Sequence, residues 1–140
     1  VKTELKDEAK IKAGKSIAKT IEKSVERLTK ELRRFREIQA KIETRLSKLE
    51  GQGADATEAR AVLAIATTKL SAAEVSIKAI SNVKVSAEDP RSSLDAVKTA
   101  VRAAQDALKE AHESLSDVLP AMKALEASVR RSATSTKATN

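Results

Sequence analysis

The chain has no cysteine, tryptophan or tyrosine, and only one phenylalanine, three glycines and two prolines among 140 residues. Without cysteine there is no disulfide, no thiolate metal site and no thiol chemistry. With Phe35 as the sole aromatic residue, nothing is available to stack on nucleic-acid bases. The aromatic and β-branched runs that build sheets are missing too. No apolar run approaches the ~20 residues needed to cross a bilayer. No signal peptide is visible; the first residue is Val rather than Met, which a processed or a trimmed form would equally show, so the start does not tell whether an export signal was removed. His112 has no second histidine or cysteine with which to share a metal, so it reads as a half-exposed structural residue on a helix flank. No glycine-rich phosphate loop is present. The expectation from these absences is a protein that is not an enzyme and holds no cofactor or metal.

What is present is helical periodicity. Ala, Leu, Glu, Lys and Arg dominate, the composition of coiled coils and long helices. From Leu94 to Val129 the apolar residues recur at alternating steps of three and four: Leu94, Val97, Val101, Ala104, Leu108, Ala111, Leu115, Val118, Met122, Leu125 and Val129. That spacing places them on one face, which must be buried against other helices. A second ladder runs through Ala59, Leu63, Ala66, Leu70, Ala73, Ile77 and Ile80. Beside it lies another apolar strip, Val62, Ile65, Ala72, Val75 and Ala79, which predicts that this helix faces two neighbours. The first ladder, Ile21, Val25, Leu28, Leu32, Phe35, Ile42, Leu46 and Leu49, is interrupted by Gln39, where Ile38 is expected to take the seam position.

The expected fold is therefore all-α: three long antiparallel helices in a coiled-coil-like bundle. Helix one spans about 3–49, helix two about 56–82, and helix three about 90–131 with a kink at Pro120. Gly51 to Asp55 closes the first helix and opens the second, with Asp55 and Glu58 as a capping box. Asp89 and Pro90 open the third, as cap and first helical residue. Helix two is too short to cover all of helix one, so residues 1–20 are expected to project as a helical extension from a three-helix bundle of residues 21–131. Residues 121–131 should project from the other end or fold over it, and residues 132–140 should form a flexible Ser/Thr-rich tail.

Lys and Arg number 27 against 20 Asp and Glu, a net charge of +7. The excess sits on helix one, where Lys23, Arg27, Lys30, Arg33, Arg34, Arg36 and Lys41 make a basic outer face. Such a stripe can contact phosphates, yet Glu22, Glu26, Glu31, Glu37 and Glu43 interleave with it. Residues 11–25 form a basic amphipathic stretch with a small apolar side and no aromatic anchor, which suits a partner helix better than a membrane surface. Leu5, Ile11, Ile17, Ala18 and Ile21 give the projecting N-terminal segment its apolar side and are the candidate protein-interaction residues.

Two stretches carry a resemblance. One is the run from Ile42 through Gly51-Gln52-Gly53-Ala54-Asp55 to Ala64; the other is Asp89-Pro90-Arg91-Ser92-Ser93-Leu94 continuing to Leu115. Together they resemble uncharacterised exported Ala/Lys-rich helical coiled-coil proteins of candidate-phyla bacteria, over roughly residues 20–130. The resemblance implies a cell-envelope or secreted location, with a cytoplasmic one as the alternative, and brings no activity. The functional expectation is a structural or protein-interaction module that self-associates through the N-terminal extension. The alternative is a nucleic-acid or polyanion binder acting through the basic face of helix one. A nucleic acid is the less favoured partner and a membrane surface the least.

Overall fold

The computed structural model describes residues 2–86 and 88–139, with side chains described within 8–132. Among these residues the chain forms three α-helices and no strand: α1 (Lys2–Gly51), α2 (Thr57–Ser81) and α3 (Pro90–Thr139). It is an all-α helical bundle. α3 passes through Pro120 and continues beyond the expected end near residue 131 to Thr139. Residues 132–139 hold no glycine or proline to stop a helix, and Ser, Thr and Ala only lower or maintain its propensity. The ring of Pro120 removes the donor to the Ser116 carbonyl, and both residues are exposed, so water can take its place.

The turn after α1 is built by glycine, though by the second one. The Ala54 amide donates to the Leu49 carbonyl and the Gly53 amide to the Glu50 carbonyl, each at 3.0 Å. This is a Schellman closure, and it needs a left-handed residue at Gly53, whose φ is +94°. Gly51 remains helical. An L-residue at position 53 is strained by its backbone alone, since an added Cβ would meet nothing within 4 Å. Gly53→Ala should therefore destabilise the protein by about 1–2 kcal/mol, read by thermal melting, whereas Gly51→Ala should not. Asp55 accepts from both the amide and the hydroxyl of Thr57. Glu58 adds charge to the first turn of α2 without a return hydrogen bond to complete the capping box.

The helices run through two compact units. The first gathers Val1–Leu32 with Ala72–Leu108. Its core holds Ile17, Leu28 and Leu32 from α1, Ala73, Ile77 and Ile80 from α2, and Val97, Ala104 and Leu108 from α3. Asp89 caps α3 by accepting from the Ser92 amide at 3.1 Å. Buried Ser93 accepts from the Ser86 amide at 2.8 Å, which ties the connection between α2 and α3 to the first turn of α3. The burial of Ile17 corrects the expectation drawn from helix lengths. Burial on α1 therefore reaches back at least to residue 17.

The second unit gathers Arg33–Ser71 with Lys109–Asn140. Its core holds Ile42, Leu46 and Leu49, then Ala56, Ala59, Leu63, Ala66 and Leu70, then Ala111, Leu115, Val118 and Met122. Gln39, and not Ile38, occupies the seam position. Its amide donates to the Thr67 hydroxyl at 2.6 Å, which in turn donates to the Leu63 carbonyl. Ile38 is left 41% exposed. Across α1 and α3, Phe35 meets His112 with ring centroids 5.3 Å apart, and Arg45 donates to Glu126. Both pairs advance in the same direction along the two helices, so α1 and α3 are parallel here. Residues 121–131 accordingly continue beside the end of α1 rather than leaving it.

α2 does face two neighbours, α1 at Gln39–Thr67 and α3 at Lys69–Glu110, but its second apolar strip is mostly left outside, with only Val62 half-buried. Ile65 is 55% and Val75 68% exposed, and Ala72 and Ala79 are exposed as well. The alanines at 59, 66 and 73 are buried on the main ladder, where small side chains let helices approach closely, so one narrow stripe is all that α2 buries.

Candidate interaction surfaces

The surfaces follow from which stripe of each helix the core leaves uncovered. In the first unit, α1 turns Ile17 inward, to 5% exposure, while Ile11 is 55% exposed. Ala18 is exposed and Ile21 half-buried; the Leu5 side chain lies outside the described residues. Of the five apolar candidates for association, Ile11, Ala18 and Ile21 thus share an open face with half-buried Gly14 and Val25, at steps of three and four residues. Ile17 does not belong to it. An open groove of about 480 Å³ follows this face, lined by Ala18, Ile21, Glu22, Val25 and Glu26 and by Ser81 at the end of α2. A Cβ added at Gly14 would meet nothing within 4 Å, so its own chain leaves that point of the face clear.

The basic residues divide between the units. Lys23, Arg27 and Lys30 are exposed on the first, and Arg33, Arg34 and Lys41 on the second, where Arg36 is half-buried and partnered. On the first unit exposed Glu22 and Glu26 alternate with the cations. The strongest basic feature lies elsewhere. In the second unit a groove of about 740 Å³ runs between α1 and α3. Lys41, Arg45 and Lys48 line one wall, Glu126 and Arg130 the other, with Leu49 and Val129 at its base. The sequence does carry a signal for it, because Lys41, Arg45 and Lys48 stand at i, i+4 and i+7 of one helix face. What the sequence lacks is the pairing of that face with the last turns of α3.

The α1–α2 turn holds a small group of mutually engaged charges. The Arg60 guanidinium donates to Glu50 and holds its carboxyl below the ordinary value, while Glu50 raises Arg60. The Thr57 hydroxyl, and then its amide, lower Asp55. All three groups are solvated, and they secure a turn rather than a reaction. His112 lies exposed against Phe35. Among the described residues no group of His, Cys, Asp or Glu is placed to hold a metal, and no buried side-chain polar atom lacks a partner. No described helix is long and apolar enough to cross a membrane. Comparison with known proteins finds no family model, no curated protein and no solved structure that matches this chain.

Proposed function

We propose that this protein is a non-enzymatic structural or protein-interaction module that associates with copies of itself through the open face of α1 near its N-terminus. The observation that carries the reading is Ile11, a large aliphatic side chain 55% exposed on a helix face that continues through Gly14, Ala18, Ile21 and Val25. Glycine and alanine at two of these rungs let a second helix backbone come close. The 3-4 spacing suits coiled-coil pairing with an identical helix. The resemblance to exported helical proteins supports a place in the cell envelope or outside the cell.

The test is the mass in solution across a concentration range. Ile11→Glu combined with Ala18→Glu should shift the full chain to its monomeric mass at concentrations where the unaltered protein associates. Both sites are exposed, so the melting of the core should stay within about 0.5 kcal/mol of the original. A chain that is monomeric at high concentration without any substitution would refute the reading. Salt-sensitive retention of that monomer on duplex DNA would move the assignment to polyanion binding through Lys23, Arg27 and Lys30.

A further inference from the structure

The groove between α1 and α3 in the second unit is a separate surface, and its chemistry is asymmetric. Of the nine residues that line it, four are cationic and one, Glu126, is anionic. Glu126 is already engaged by Arg45. No ion pair among the described residues engages Lys41 or Lys48.

The two helix faces that form the groove continue beyond the residues that line it. Arg45 and Glu126 fix the register of two parallel helices. Seven residues earlier on each, the same faces carry Ile38 and Leu119, which are 41% and 46% exposed. Two aliphatic side chains therefore stand on facing walls about two turns, or roughly 10 Å, from the bridge. Farther back, the Phe35–His112 contact spans the two helices. The result is a trough with an apolar stretch followed by a basic one.

We infer that this trough binds an amphipathic helix of a partner protein, with aliphatic residues on its inner face and Asp or Glu along its flanks. A helix laid between two parallel helices would complete a four-helix arrangement. Its apolar side would cover Ile38 and Leu119, and its carboxylates would meet Lys41 and Lys48; Arg130 already has a partner within the chain. A phosphate polymer would satisfy the cations but leave the aliphatic pair in water, so the combination selects a protein helix. None of the three described helices offers it an acidic amphipathic face: α1 and α3 carry more basic than acidic residues, and the exposed strip of α2 is apolar. The inference does not depend on self-association through Ile11, which lies in the other unit.

The experiment is a selection with the full chain as bait, using a displayed library of helical peptides that keep Leu at i, i+3, i+4 and i+7 and vary the flanking positions. Enriched peptides should be acidic at those flanks. Their affinity should fall at least tenfold with Lys41→Glu combined with Lys48→Glu, and at least tenfold with Ile38→Ser combined with Leu119→Ser. Lys41→Arg with Lys48→Arg should retain binding. All four positions are exposed, and circular dichroism with thermal melting of each variant verifies that the bundle is intact. The inference is overturned if no peptide is enriched, if the flanks come back neutral or basic, or if the Ile38/Leu119 variant binds as well as the unaltered chain. A duplex DNA probe that binds, loses affinity only with the Lys→Glu pair and ignores the aliphatic pair would assign the groove to a polyanion instead.

Discussion

Leu108→Ala should lower the free energy of unfolding by about 2–5 kcal/mol, the range for removing a large aliphatic side chain from a packed core. Leu108 is 2% exposed and stands between Ala104 and Ala111, both fully buried on the same α3 ladder. The alanines cannot expand to fill the space, and helices held in register by neighbouring turns cannot close on it locally. The loss should therefore lie in the upper part of that range. Lys109, one position along and exposed, is the control: Lys109→Ala should change stability by less than about 0.5 kcal/mol. Urea denaturation followed by circular dichroism measures both. Equal midpoints for the two variants would mean that the buried face of α3 is not the one identified.

Ile17→Glu should be almost as damaging, and it separates this structure from the simpler picture of a free N-terminal extension. Ile17 is 5% exposed, so a carboxylate placed there is withdrawn from water. Burying it unpaired would cost several kcal/mol. The chain avoids part of that cost by detaching the start of α1 or by protonating the acid, so the expected loss is about 2–4 kcal/mol. Ile11→Glu, less than two turns away and exposed, should leave the melting temperature nearly unchanged. Similar behaviour of the two variants would restore the projecting extension of residues 1–20 and remove the distinction on which the association face rests.

Most of the architecture is legible in the residues alone. The α2 ladder from Ala59 to Ile80 is buried at every rung, and α3 is buried from Ala104 through Met122 at every rung. The caps at Asp55 and Asp89 hold the first turns that their positions imply. Periodicity and capping act within a few residues of the chain, so they can be read along it. The departures concern relations between helices. Ile38 and Gln39 compete for one seam position, and what decides between them is a hydroxyl on another helix, Thr67. The second strip of α2 has the composition of a buried face, but the ladder through Ala59, Ala66 and Ala73 is the one that the other helices cover.

The same division separates the two candidate surfaces. That residues 11–25 have an apolar side, and that Lys41, Arg45 and Lys48 share a stripe, follows from the 3.6-residue turn and needs no tertiary information. Tertiary structure decided that Ile17 is core and Ile11 is not. It also decided that the Lys41 stripe faces Glu126 and Arg130, residues more than 80 positions away in the chain. A helix states which of its faces is apolar or charged; which face is covered, and by what, depends on the relative heights of helices. Those heights are set by the path of the connections and the closeness of packing, neither of which has a period in the sequence.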